Sequence, residues 1–465
     1  MKGFKHELSG AALGDARLTQ RFISLVEQLA VNPDASLPES LPPADLEAAY
    51  RFVNNEKVTV DALLAPHAAE TATRCAAHAT VLVAHDSSEC KYGGERAQLG
   101  RIRATAAKGY SLHLSLAIAD AQTRDPLGVL AVSTKCRTGP LRGRASPATR
   151  YKDPARESFR WGAHMLAVEQ QLGPGRAIHL ADREGDAYEL LASLQQHGAR
   201  FVIRQCHDRR LADTELGTHL DAVLGATPIV GHREVAISKR GVAAQPASVR
   251  NHPPRDARPT MLAIGAMPLT VRRPWNMPAS QPATLALHVV HVREVDAPAD
   301  ADPIEWTLLT TEPIATPEQM WAIVDAYRAR WLIEEYFKTL KTGCSLEKRQ
   351  NESLHALENV LGLYLPIAWQ LLRLRTLART AETTPAAAVL SPSACAVLRR
   401  HPRTAKWMPA NPTVVDAMNA IAALGGHIKN NGRAGLIVLG RGYQALLALI
   451  DGWDLRATTQ GRPEM

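Results

Sequence analysis

Cysteine is sparse and unpatterned in this sequence of 465 residues. The six cysteines stand singly along the chain, and none of them forms a C-x-x-C pair. This spacing argues against a zinc site and against a disulfide framework. We therefore expect buried free thiols.

Long apolar runs are also lacking. The longest, near Val360 to Leu372, is interrupted by Pro366 and Gln370 and is too short to cross a bilayer. The first ten residues, MKGFKHELSG, are followed by no apolar run and no small-residue cleavage signature. We expect no membrane span and a cytoplasmic protein.

Acidic residues are scarce in the middle of the chain. Positions 91–161 hold fourteen Lys and Arg but only five Asp and Glu, whereas positions 1–70 hold six and ten. The whole chain has a net charge of +8. This balance is compatible with a nucleic acid partner, because cations neutralise backbone phosphates, although solvated loops would give the same composition.

Apolar periodicity predicts a helical start followed by strands. Positions 11–30 place apolar residues at helical spacing after Asp15, a candidate N-cap, and positions 44–54 and 59–73 are also predicted to be helical. Short β-branched and apolar runs then predict strands. These runs are Thr80–His85, Tyr110–Ile118, Leu127–Ser133, Ala177–Ala181 and Arg200–Arg204.

The second half of the chain predicts an insertion and then helices. Positions 207–305 are rich in Pro, Gly and short alternating runs, which is typical of a β-rich insertion. A strand at Glu305–Thr311 is followed by one long helix from near Pro317 to beyond Lys341, and the remainder is mostly helical. We expect an α/β fold with a mixed sheet. Its predicted domains are a helical domain at 1–72, a catalytic domain at 73–355 with a β-rich insertion at 206–304, and a helical domain at 356–465.

Two aspartates follow short strands of the predicted sheet, Asp86 after TVLVAH and Asp182 after AIHLA. Carboxylates at strand ends are well placed to share a divalent metal ion, because the sheet fixes their positions. A single aspartate of this kind more often caps a turn or a helix. Two of them, together with the predicted long helix and its charged residues, favour the metal-binding interpretation.

The predicted long helix carries Tyr327, Arg330, Glu334 and Lys341. At about 100° per residue these four side chains fall within an arc of roughly 60°. Such a stripe on a surface helix is commonly a solvated set of salt bridges. Following two acid-tipped strands, it instead indicates a site that binds phosphate and metal.

These residues resemble the DDE transposases related to transposon-five transposase, in the insertion-sequence-four group. The third catalytic block of that family is a tyrosine, two residues, an arginine, three residues, a glutamate, six residues and a lysine, and this chain matches it at all four positions. The segments HDSSE and LADREGDAYELL are similar to the first and second blocks, and AALGDARLTQRFISLVEQLA and AAYRFVNNEKVT to the family's N-terminal DNA-binding region.

The resemblance implies an RNase H-like core and a cut-and-paste DNA transposase. Asp86, Asp182 and Glu334 would form the catalytic triad and bind two Mg²⁺ ions, for which Mn²⁺ can substitute. The partners would be double-stranded DNA, both the terminal inverted repeats and the target, and a second copy of the chain. Residues implied to contact DNA are Tyr327, Arg330, Lys341, Arg204, Trp306, Arg17 and Arg21. His113 also fits a recurrent histidine of the family.

The chain departs from the family near its C-terminus, where Leu436, Gly440 and Tyr443 stand in place of the family's usual tryptophans. We therefore expect a largely monomeric free protein that forms a dimer, through the helical C-terminal region from about Ala356 onward, only with both DNA ends bound. A catalytically silent or domesticated DNA-binding relative, a metal-dependent nuclease without strand transfer, and a glycosidase with paired carboxylates are the alternatives. The cations Arg330 and Lys341 disfavour the glycosidase.

Overall fold

The computed structural model describes residues 3–94, 96, 98–102, 107–137, 156, 158–212, 215, 217–237, 256–298, 303–380, 383–428 and 432–460. The fold is mixed α/β, as predicted. The chain forms two compact units, a first unit of Met1–Leu141 with Trp331–Met465 and a second unit of Arg142–Arg330. This division is by compactness, and the three domains proposed from the sequence stay a prediction. Much of the basic stretch at 91–161 lies outside the described residues.

The first unit begins with five helices. Asp15 caps the second of them by accepting a hydrogen bond from the backbone N–H of Arg17, and Thr59 caps the fifth in the same manner. The predicted amphipathic face of the second helix is buried, and its Phe22 stacks on Phe52 of the fourth. The helices are α1 (Phe4–Leu8), α2 (Ala16–Val31), α3 (Leu37–Ser40), α4 (Pro43–Val53) and α5 (Val60–Ala76).

Four antiparallel strands follow in the first unit. They are β1 (Val81–Tyr92), β2 (Gly100–Arg101), β3 (Lys108–Ile118) and β4 (Pro126–Lys135). Strand β3 pairs with β1 on one side and with both β2 and β4 on the other. The prediction that the first strand ends at Asp86 is wrong, because β3 pairs with β1 along its whole polar half and Asp86 lies opposite Leu114 within the ladder.

The second unit combines helices on a mixed sheet. Its elements are α6 (Phe159–Leu172), β5 (Ala177–Ala181), α7 (Tyr188–Gln196), β6 (Arg200–Arg204), α8 (Leu220–Leu224), β7 (Ile229–Ile237), β8 (Arg258–Arg272), β9 (Thr284–Val295), β10 (Glu305–Thr310) and α9 (Pro317–Ala329). The strands lie in the order β5-β6-β10-β9-β8-β7, with β5 and β6 parallel and the others antiparallel. The strands β7, β8 and β9 lie within positions 206–304, and the assignment of that range as an insertion stays a prediction.

The predicted long helix is interrupted where the chain passes from one unit to the other. Helix α9 begins at a capping box made by Thr316 and Gln319 and ends at Ala329. Arg330 and Trp331 form a turn. The backbone N–H of Arg330 donates to Tyr327 O at 3.1 Å, a bond between residues three apart, as in a 3₁₀-helix, whereas an α-helix joins residues four apart. The expectation of one continuous helix is therefore wrong, and the four signature residues do not share one ideal helical face.

The first unit resumes after this turn. Its elements are α10 (Leu332–Lys338), a π-helical turn (Thr339–Gly343), α11 (Leu354–Thr380), α12 (Pro392–Arg400), α13 (Val414–Leu424) and α14 (Leu436–Gln460). The long helix α11 is almost wholly buried and packs against α2, α5, β4 and α14. Within the described ranges, no helix is long and apolar enough to span a membrane.

Candidate active site and DNA contacts

Asp86 is half-buried near the middle of β1 in the first unit. Side chains two residues apart in a strand point to the same face, so Asp86 and Ser88 lie on one face of β1. The intervening Ser87 donates its backbone N–H to Asp86 Oδ1 at 2.7 Å, and its hydroxyl is hydrogen-bonded to His113 Nδ1 at 2.8 Å. The strand pairing fixes where the Asp86 carboxylate lies.

Glu334 is also half-buried, and it lies on helix α10, which packs against β1. The two residues that follow it anchor the helix to α11. Arg375 forms an ion pair with Glu335, and the hydroxyl of Tyr336 donates to Leu365 O at 2.8 Å. These contacts hold the helix that carries Glu334 in a defined position over the first-unit sheet.

Lys341 lies in the π-helical turn after α10 and contacts β1 directly. Its ammonium group donates to Ser88 Oγ at 2.7 Å and to Glu89 O at 2.6 Å, and lies 3.8 Å from Glu347 Oε1. The first unit thus brings the predicted phosphate-binding lysine to the strand that carries Asp86, two to three residues beyond it. Ser88 and Glu89 were not singled out in the sequence as partners of Lys341.

Asp182 directly follows β5 in the second unit, as predicted, and accepts a hydrogen bond from the backbone N–H of Glu184 at 2.8 Å. Burial raises the pKa of Asp182, and the positive charges of Arg330 and Arg204 oppose that rise. The carboxylate is therefore partly desolvated and lies in the field of both predicted DNA-contacting arginines. Desolvation of this kind favours a cationic ligand.

Arg330, Tyr327 and Trp306 form a contiguous group in the same unit. Arg330 is only 8% exposed, and its guanidinium carbon lies 5.7 Å from the ring centre of Tyr327. The ring of Tyr327 meets the partly exposed indole of Trp306 edge-on, with centroids 5.9 Å apart. Arg204, at the end of β6, donates to Glu305 O at 3.1 Å beside Trp306. The second unit therefore brings together five of the predicted site residues.

The two predicted DNA contacts on α2 have different surroundings. The Arg17 side chain is 92% exposed and lies 3.3 Å from Asp15. Arg21 is half-buried and forms a 2.8 Å ion pair with Asp45 of α4. Arg17 is therefore available to a partner, whereas Arg21 also joins two helices.

The three predicted metal ligands belong to different units, Asp86 and Glu334 to the first and Asp182 to the second. Among the described residues, no group of three or more His, Cys, Asp or Glu side chains is placed to hold a metal ion. The donor chemistry nevertheless fits, because carboxylate oxygens are the ligands that Mg²⁺ prefers. The partly desolvated carboxylate of Asp182 also suits a cationic ligand.

Two segments of the chain match models of known protein families. Residues 2–58 match the family described as transposase DNA-binding, and residues 162–368 match the transposase DDE domain. The second match contains every predicted site residue from Asp182 to Lys341, and Asp86 lies outside both. Together the matches cover more than half of the chain, which carries a DNA-binding domain followed by a DDE domain and so belongs to the DDE transposases.

Proposed function

We propose that this DDE transposase moves DNA by a cut-and-paste reaction and belongs to the insertion-sequence-four group, with an RNase H-like catalytic core. One observation carries the proposal: each unit holds a predicted metal-binding carboxylate together with at least one predicted DNA-contacting cation. Lys341 contacts the strand of Asp86, and Arg330 and Arg204 act on Asp182. Carboxylates that bind metal beside cations that bind phosphate suit phosphodiester chemistry better than glycoside hydrolysis.

Asp86, Asp182 and Glu334 would hold the divalent metal that DDE transposase domains generally use. We propose two Mg²⁺ ions, replaceable by Mn²⁺. Bound there, they would activate the attacking oxygen and stabilise the leaving oxygen of the scissile phosphate.

The other site residues bind and orient the DNA. The buried guanidinium of Arg330 is held over Tyr327 and presents a planar donor to a phosphate. Lys341 supplies a second charge from the side of β1. Trp306 offers a partly exposed ring on which an unpaired base can stack, a contact of roughly 1 to 3 kcal/mol per base.

The proposed partners are the terminal inverted repeats, the target duplex and a second copy of the chain, with the protein acting on the nucleoid of the bacterial cytoplasm. Positions Gly440 and Tyr443 of α14 are used inside the first unit. A Cβ at Gly440 would lie 2.3 Å from Leu371, and Tyr443 is fully buried. These positions are thus unavailable for a dimer contact, which favours a monomer in the absence of DNA. Light scattering with and without end DNA tests this, and a stable dimer of the free protein would contradict it.

A cleavage assay tests the function itself. Purified protein is incubated with DNA that carries the genomic sequences flanking its reading frame, with Mg²⁺, with Mn²⁺ or with a chelator. We expect nicking at the element ends with either metal and none with the chelator. Specific end binding without cleavage under every condition would instead support a silent or domesticated relative.

A further inference from the structure

A strongly basic surface lies at the C-terminal end of α12 and in the turn that follows it. It carries Arg399, Arg400, Arg403 and Lys406, all exposed, together with Trp407, which is 46% exposed. We call these five residues the basic turn. Its cations lie within eight consecutive positions, so their charges add at one place on the first unit.

No acidic residue lies within this stretch of the sequence. Positions 383–415 contain four Lys and Arg and no Asp or Glu. None of the four cations forms an ion pair with any residue that the structure describes. The dipole of α12 stabilises cations at its C-terminal end, at Arg399 and Arg400, but it does not extend to Arg403 or Lys406. The helix dipole therefore stabilises only two of the four positive charges.

The basic turn is held in one conformation. Thr404 is fully buried at its centre and its hydroxyl donates to Leu398 O, while Trp407 N donates to Thr404 O at 3.1 Å. Arg399 donates to Ala410 O at 3.2 Å, and the guanidinium of Arg400 lies 5.1 Å from the ring centre of Trp453. The guanidinium groups of Arg399 and Arg400 are therefore ordered and lose less conformational entropy on binding than free ones would.

Trp407 adds an apolar contact surface. Its indole N–H is satisfied by Arg403 O at 3.0 Å, so the exposed part of the side chain is the ring. An open groove that includes Arg399 is otherwise lined by neutral residues such as Pro392, Asn411 and Thr413, and none of the described residues that line it is acidic. A cationic surface with an exposed aromatic ring suits a polyanion with apolar sugars and bases.

We infer that the basic turn is a DNA-binding surface that contacts the phosphate backbone without sequence preference. The inference rests on the proposed function and adds to it a contact outside the catalytic and N-terminal domains. Because phosphates are the same in every sequence, the contact would serve element ends and target DNA alike.

The test is the salt dependence of binding by an Arg403→Gln/Lys406→Gln variant of the full chain. Neither side chain has a described partner, so folding should be unaffected. A matched control is Arg379→Gln/Arg433→Gln, which removes two exposed cations of the same region that stand apart from the turn in sequence. Affinity is measured from 50 to 200 mM salt for end DNA and for an unrelated duplex of equal length.

We expect the slope of log K against log salt to fall by about 2, since each lost phosphate contact removes about 0.9. Affinity at low salt should fall about tenfold or more on both DNAs, with the control close to wild type. An unchanged slope, or an equal change in the control, would overturn the inference. Cleavage by the wild type tests the proposed function separately, so the two can fail independently.

Discussion

The ammonium group of Lys341 donates a 2.7 Å hydrogen bond to the hydroxyl of Ser88, which lies two residues beyond Asp86 on the same face of β1. The lysine of the third sequence block is thereby held beside the first block, HDSSE. The bond connects residues 253 positions apart in the chain. It places a cation that lies outside the helix of Glu334 next to the strand that carries Asp86.

We expect Lys341→Ala to slow single-turnover cleavage by about 10- to 100-fold, the range for loss of one charge-assisted hydrogen bond to phosphate. Lys338→Ala is the matched control, because Lys338 is an exposed lysine at the end of α10, three residues before Lys341. Its rate should stay within about twofold of wild type. Cleavage by Lys341→Ala at the wild-type rate would remove Lys341 from the phosphate-binding group.

Replacement of the two arginines of α2 should have different effects, one mainly on DNA binding and the other mainly on stability. Arg17→Ala removes an exposed cation, so end binding should weaken several-fold with no loss of stability. Arg21→Ala breaks the bond to Asp45 and should lower the free energy of unfolding by up to about 1 kcal/mol, with a smaller effect on binding. Gel shifts and urea unfolding of both variants measure this. If end binding is unchanged in the double variant, α2 does not read the DNA.

A buried charge network joins the N-terminal helices to β4. The backbone N–H of Val129 donates to His67 Nε2 at 3.0 Å, so Nδ1 carries the proton and donates to Glu7 Oε1 at 2.6 Å. Arg74 binds both oxygens of Glu7 at 2.9 Å. Burial would raise the pKa of Glu7, but the hydrogen bond from His67 and the charge of Arg74 outweigh it and lower the pKa to about 2.

Because its pKa is lower in the folded state, Glu7 stabilises the protein above about pH 4.5, and this contribution is lost as pH falls toward 2. Glu7→Gln should therefore reduce the free energy of unfolding by about 3 kcal/mol at pH 7. The difference from wild type should persist down to pH 5 and narrow below pH 4.5. The control is Glu70→Gln, because Glu70 is a half-exposed acid that pairs with His6. This substitution should change the free energy of unfolding by less than about 1 kcal/mol. Equal effects of the two substitutions would contradict this role of Glu7.

The sequence predicts local elements well where apolar runs match burial. Strands β5 and β6 have the predicted bounds, and Asp15 and Thr59 cap helices at the predicted starts. Strand β8 is not apparent from the sequence, because Pro259 and Pro268 interrupt its pattern. Pro268 lies past the end of β7, where β8 has a neighbour on only one side and tolerates a residue without an N–H.

Tertiary contacts explain the remaining differences at the site. The polar half of β1 is a strand because β3 pairs with it, which its own composition does not indicate. No Pro or Gly marks the break at Arg330 and Trp331 in the sequence, and the break coincides with the boundary of the two units. The ion pair of Arg21 with Asp45 and the bond of Lys341 to Ser88 depend on packing that no spacing rule encodes.

The central claim is that Asp86, Asp182 and Glu334 hold the catalytic metal, and single-turnover cleavage of end DNA in Mg²⁺ by the three alanine variants tests it most directly. Glu184→Ala serves as control, because Glu184 is an exposed acid two residues from Asp182. We predict that each of the three variants binds end DNA normally and gives no detectable cleavage, while Glu184→Ala cleaves at close to the wild-type rate. Cleavage near the wild-type rate by any one of the three would exclude that residue from the triad and contradict the proposed site.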